Sequence, residues 1–281
     1  MLHPEKARVG AARKGVPGRK VSAPGRVVRR VRQELRRAAR RAEGFDARRY
    51  FRAPGDLGFY HVGTAFVREL ARAIHREHSD DWTVLDAMAV ADLLMQDRFL
   101  ETKGVGIELV ARYRRAFVPP LLPRWRRWLA AGYSGNWATT DAICGSLIGP
   151  LLVAHPRMAP QVAAWAGSRN LWIRRASAVG LIPLVRRGGA LELVYRVAAR
   201  LHADRADLIQ KAVGWLLREA GKRDASRLER YLRRRGSAVP RTTVRYAIER
   251  FPAGRRKALL SATRRASRGT AGRHPTRAPM L

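Results

Sequence analysis

A single cysteine, Cys144, in 281 residues rules out a disulfide framework and any cysteine-rich zinc site. Long apolar runs are missing too: none reaches the length of a membrane span, so no membrane partner is expected. The opening stretch, MLHPEKARVGAARKGVPGRK, has basic groups with no apolar segment behind them, unlike a secretory signal. Together these absences point to a reducing, cytoplasmic setting. Sustained alternation of apolar and polar residues between hairpin turns is absent as well, which argues against sheet architectures. There is no G-x-x-x-x-G-K-[ST] phosphate loop, no H-E-x-x-H and no G-x-S-x-G, so the chemistries carried by those motifs have no support. His75 and His78, beside Asp80 and Asp81 in AIHREHSDDW, have metal-binding residue types but read as a solvated helix end. No metal and no small-molecule cofactor is expected.

Acidic residues are scarce. Lys and Arg number 57 against 22 Asp and Glu, a formal charge of +35. Residues 1–43 hold 14 basic and 3 acidic groups, and residues 259–281 hold 5 and none. The remaining 38 against 19 fall in the middle of the chain, so the excess is not a property of the ends alone. A folded body this basic calls for a polyanion, and nucleic acid is the first candidate. An arginine-rich genomic composition would raise the same count without a partner, though hardly to twofold over acids.

What is present is helical spacing. Residues 1–25, rich in Gly, Pro, Arg and Lys, read as a disordered basic tail, 26–44 as a segment able to form a basic helix, and 259–281 as a second disordered tail. Between them, helices are expected near 64–78, 81–97, 101–117, 121–132, 137–153, 157–166, 170–186, 189–202, 206–220, 224–234 and 240–251. The pattern recurs at about 35 residues, aligning DAICGSLIG from 141, ASAVGLIPL from 176, KAVGWLLRE from 211 and YAIERF from 246. The expectation is an all-α, curved solenoid of HEAT-like helical repeats over 45–258 with basic tails. One helix of each pair would line the concave side, where Trp137, Asp141, Arg174, Arg175, Lys211 and Trp215 can converge.

The stretch NWATTDAICGSLIGPLL, residues 136–152, sets a carboxylate, Asp141, four residues after Trp137 on an otherwise apolar helix. Positions i and i+4 share a face. A solvated helix edge would explain this, and either Arg175 or Lys211 could be a purely structural partner. Burying a carboxylate costs several kcal/mol, on the order of one buried ion after relaxation, and such costs usually mark function. Trp172 reads as core. Trp215, four residues after Lys211 and three before Arg218, makes a plausible nucleic-acid platform.

The set NWATTDAI, RNLWIRRASAV and LIQKAVGWLLREAGK, in this order and spacing, resembles the AlkD-type DNA alkylation-repair glycosylases, a family of HEAT-like repeats; the likeness covers roughly residues 45–258. The resemblance implies a DNA glycosylase that hydrolyses the N-glycosidic bond of cationic N3- and N7-alkylated purines in duplex DNA, without flipping the base. It implies Asp141 as catalytic aspartate, Trp137 and Trp215 as flanking active-site tryptophans, Arg175 as a phosphate contact and Tyr50 as a tyrosine reaching the site from the N-terminal helices. Arg174, Lys211 and Arg218 are expected beside them on the DNA-binding surface. The expected state is a monomer associated with the nucleoid through DNA. Two other classes remain open: a non-enzymatic DNA- or RNA-binding solenoid, and a protein-interaction solenoid whose basic face meets an acidic partner. The basic ends are not part of the family pattern.

Overall fold

Apolar residues spaced three and four apart bury one stripe of almost every helix in the chain. The structure, a computed structural model, describes residues 24–40, 51 and 57–264. Over these residues the chain is an all-α solenoid with no strands, only one isolated bridge between Gly58 and Phe99. The helices are α1 (Pro24–Ala38), α2 (Gly63–His78), α3 (Val84–Leu94), α4 (Leu100–Arg112), α5 (Leu122–Ala130), α6 (Trp137–Ile143), α7 (Gly149–Ala154), α8 (Ala159–Ala164), α9 (Leu171–Val179), α10 (Ile182–Arg186), α11 (Leu191–Leu201), α12 (Asp207–Arg223), α13 (Ala225–Arg235), α14 (Arg241–Ala247) and α15 (Ala253–Ala262).

Helices α6, α9, α12 and α14 begin at 137, 171, 207 and 241, the repeat seen in the sequence. Each packs on the next, and α4 packs on α6, so five helices form one continuous layer. Helices α8, α11, α13 and α15 form the opposite layer. Polar side chains tie neighbouring repeats at the same register: Arg175 reaches the Leu208 carbonyl and the Thr243 hydroxyl donates to the Gln210 carbonyl at 3.0 Å. Two glycines are required by close approach. A Cβ on Gly149 would lie 2.2 Å from Pro183 Cγ, and one on Gly214 would lie 2.4 Å from Tyr246 Cβ. They let α7 meet α10, and α12 meet α14.

Four expectations need correction. The run expected as one helix over 170–186 is two, α9 and α10, because Pro183 lacks the N–H that would continue the ladder. The basic segment does form a helix, but the domain boundary at 45 moves to take it in: α1 starts at Pro24, ends at Ala38 and buries Val27, Val28, Val31 and Leu35 against α3. The C-terminal boundary also moves. Residues 259–262 lie within α15, where Leu259 is fully buried and the Thr263 hydroxyl donates to its carbonyl. The remainder of both expected tails, 1–23 and 265–281, lies outside the described residues. Finally, the helical run Trp137–Ala154 is long and apolar enough to cross a membrane by length and composition. Its residues Ile143, Leu147, Ile148, Leu151 and Leu152 are fully buried in the protein core, which accounts for the same composition.

If α1 and the end of α15 belong to the fold, Leu35→Ala and Leu259→Ala should each lower stability by about 2–5 kcal/mol, the range for emptying a buried leucine site. Urea unfolding followed by circular dichroism measures this. A silent Leu259→Ala would return residues 259–281 to the status of a tail.

Candidate active site

The turn before α6, AGYSGN, folds back on itself through Gly132 and Gly135, both at positive φ. Asn136 then caps the helix, its side-chain oxygen accepting from the Thr139 amide at 2.8 Å while its Nδ2 donates to the Ser134 carbonyl. An asparagine is well suited to this position because its oxygen satisfies an otherwise orphaned helix N–H. Buried Lys103 holds the turn from below, donating to the carbonyls of Tyr133 at 2.7 Å and Met95 at 2.8 Å. Helix α9 starts the same way: Asn170 accepts from the amides of Trp172 and Ile173.

These caps fix the rotation of two helices so that Asp141 on α6 faces Arg175 on α9. The pair is bidentate, Arg175 Nε to Asp141 Oδ1 at 2.8 Å and Nη2 to Oδ2 at 2.7 Å. Arg175 Nη1 donates to the Leu208 carbonyl of α12 at 2.5 Å, so one guanidinium joins three successive repeats. Its side chain is 7% exposed, that of Asp141 17%. Burial pushes the Asp141 carboxyl above its ordinary range, and Arg175 only partly offsets this. Cys144, one turn on, is fully buried and burial drives its thiol well upward.

Trp137 lies one turn before Asp141, half-buried and stacked on Phe51 with ring centroids 5.6 Å apart. Trp215 lies on α12 seven residues after Leu208, on the same helix face and about 10 Å farther along the axis by the helical rise. Its indole Nε1 donates to Glu219 Oε1 at 3.3 Å. Glu219 is 3% exposed and also takes Arg186 Nε and Lys222 Nζ. Burial raises its carboxyl, but Arg186 and Lys222 outweigh that and hold it below the usual range. The sequence reading did not single out Glu219, although the signal was there: Trp215 and Glu219 repeat the spacing of Trp137 and Asp141.

The four cations expected to contact DNA each meet a carboxylate. Arg174 Nε pairs with Asp204 at 2.7 Å, Arg175 with Asp141, Lys211 Nζ with Asp207 at 2.8 Å, and Arg218 with Glu249. Arg175 is thus seated as the partner of Asp141, the structural role that the residues themselves had left open, and spends three of its five N–H groups within the protein. Trp172 is partly buried and packs on the core. Tyr50 lies outside the described residues. His78 stacks on Trp82 at 4.2 Å, and among the described residues no group of three or more His, Cys, Asp or Glu could hold a metal ion.

An all-α solenoid with an aspartate–arginine pair bridging its repeats is the class the fold and site define. Residues 31–251 match the family of DNA alkylation repair enzymes, and the chain belongs to that family. A solved structure described as a predicted DNA alkylation repair enzyme from Enterococcus faecalis shares the fold at a TM-score of 0.62, with 18% identity over 70% of this chain and 90% of its own. No curated protein sequence matches.

Removing Arg175 alone should strand a buried carboxylate, and Arg175→Ala should cost about 3–5 kcal/mol. Asp141→Ala in the same background should recover a large part of that loss. A double-mutant cycle by urea unfolding reads the coupling; additive losses would mean that the pair contributes no interaction energy.

Proposed function

We propose that this chain is a monomeric DNA glycosylase that hydrolyses the N-glycosidic bond of cationic N3- and N7-alkylated purines in duplex DNA, with no metal or cofactor. The observation that carries the reading is a carboxylate kept largely from water and held by a bidentate arginine on three successive helices. As the glycosidic bond breaks, positive charge develops on the sugar. A preorganised negative group in a site of low dielectric stabilises that charge without having to reorient.

The pairing with Arg175 leaves this capacity in place. Each carboxylate oxygen has two lone-pair directions, and Arg175 occupies one on each. The others remain for a water and for the developing cation. Trp137 and Trp215 would offer indole faces to the same charge, worth roughly 0.5–2 kcal/mol each.

Proton donation is not needed, because a purine alkylated at N3 or N7 already carries a positive charge and leaves as a neutral base. Glu219, the second acid near an active-site tryptophan, is bound by Arg186 and Lys222 and held ionised, so it is a poor donor. Neutral lesions would require general-acid help commonly worth 10²–10⁴-fold in rate, and among the described residues no group beside Asp141 is placed to give it.

The reaction needs Asp141 as the carboxylate, and burial has raised its pKa above the ordinary value. Excision should therefore fall as pH drops through that raised value, with an acid limb above the normal aspartate range. In single turnover, 7-methylguanine and 3-methyladenine should be released from duplex DNA while uracil and 8-oxoguanine are retained. Asp141→Asn should slow release by about 10²-fold or more with duplex binding intact. Undiminished release by Asp141→Asn would refute the assignment, and comparable excision of uracil would reveal a general acid beside Asp141.

A further inference from the structure

Helices α11 and α13 contribute nothing to the surroundings of Asp141, yet between them lies a solvent-open cavity of about 660 Å³, within the ordinary size range for small-ligand sites. Its walls come from one face of each helix. On α11 these are Glu192, Tyr195, Arg196 and Ala199, at spacings of three and four. On α13 they include Arg227, Arg230, Tyr231, Arg234 and Arg235. Five arginines therefore meet two acids, and both acids are engaged. Glu192 pairs with Arg227 across the two helices, and Asp224 caps α13 by accepting from the Arg227 amide at 2.7 Å.

Arg196, Arg230 and Arg234 are exposed and, among the described residues, have no carboxylate within ion-pair distance. This sets them apart from the four cations around Asp141, each of which has an acid. Like charges gathered round a concavity repel one another, and an anion seated among them relieves that repulsion. Tyr195 lines the floor but is only 8% exposed, its hydroxyl buried away from the opening. Arg227 lies over its ring at 4.8 Å and Arg235 over that of Tyr231 at 5.8 Å, which keeps both guanidinium planes at the wall. Burial pushes both tyrosine hydroxyls up to about 12, so they stay protonated at neutral pH.

We infer that this cavity is a second anion site, for the clustered phosphates of an oligophosphate group. Several planar guanidiniums suit phosphate because each can present two parallel N–H donors, which a scattered set of lysines could not do. A compact concavity between two helices, rather than a stripe along the solenoid, favours phosphates presented together on a compact group, whether free in solution or at the end of a DNA strand.

Isothermal titration of the full chain with inorganic tripolyphosphate, at physiological ionic strength, tests this. The expected result is saturable one-site binding, weakened at least tenfold in the triple variant R196A/R230A/R234A. A control triple variant, R114A/R115A/R157A, removes the same charge from exposed positions elsewhere and should leave binding within twofold. No saturable binding, or equal losses in the two triple variants, would overturn the site. Repeating the titration with blunt duplexes bearing 5′-triphosphate or 5′-hydroxyl ends separates the sources: competition by the phosphorylated duplex alone assigns a strand end, and competition by neither assigns a free oligophosphate. Competition by both duplexes alike would show that the ordinary DNA backbone occupies the cavity and would overturn the preference for clustered phosphates.

Discussion

The solenoid is organised about one buried ion pair. Arg175 clasps Asp141 with two donors and turns a third to the Leu208 carbonyl, so the relative placement of α6, α9 and α12 is fixed by a single planar group. Such a pair is not an economical way to stabilise a fold. Taking two charges out of water costs several kcal/mol per ion, and well-packed apolar residues of similar volume often do as well or better. The neighbouring apolar positions, Ile143, Cys144 and Ile148, show that the core could have been completed without charge. The pair makes sense if the carboxylate itself is wanted. The Asn136 cap and Lys103 beneath the preceding turn then read as the supports that keep it in place.

The same spacing has been put to two uses. Trp137 with Asp141 and Trp215 with Glu219 each set an acid four residues after an indole in the continuous layer that holds α6 and α12. Glu219 is sealed, at 3% exposed, and surrounded by Arg186, Lys222 and the Trp215 N–H, so its charge is more than balanced. It orients an indole. Asp141 retains 17% exposure and one arginine, and burial dominates its titration. In the proposed reaction, that difference in environment, rather than residue type, would give the electrostatic role to Asp141 and a positioning role to Glu219.

How much of this could be read beforehand follows from the range of the interactions involved. Helical periodicity and the recurrence near 35 residues are local or quasi-local, and both held, down to starts at 137, 171, 207 and 241. The solitary acid on an apolar face was also legible, because side-chain spacing alone puts Asp141 beneath Trp137. The partner of Asp141 was not settled: Arg175 and Lys211 were both candidates, and the choice depends on the rotation of α9 set by the Asn170 cap. The ends were misjudged for a similar reason. A helix over RVVRRVRQELRR was legible, but its place within the domain depends on α3, which supplies the surface for Val27, Val31 and Leu35. The division of α9 from α10 depended on weighing one residue, Pro183, against an otherwise helical pattern.

The pairing of the cations has a consequence for how DNA would be held. Lys211 and Arg218 sit in partly exposed ion pairs, with Lys211 40% exposed, and pairs of this kind are worth about 0–1 kcal/mol. Exchanging such a carboxylate for a phosphate costs little, so these residues can engage a backbone and release it. Arg175 is a different case. Leaving Asp141 would strand a buried carboxylate at about 3–5 kcal/mol, more than one phosphate contact on the protein's edge returns. Its two remaining N–H groups can point to a phosphate only while the other three stay where they are. In the proposed function Arg175 would therefore contact DNA without giving up Asp141, and the carboxylate would keep its orientation through each encounter with the duplex.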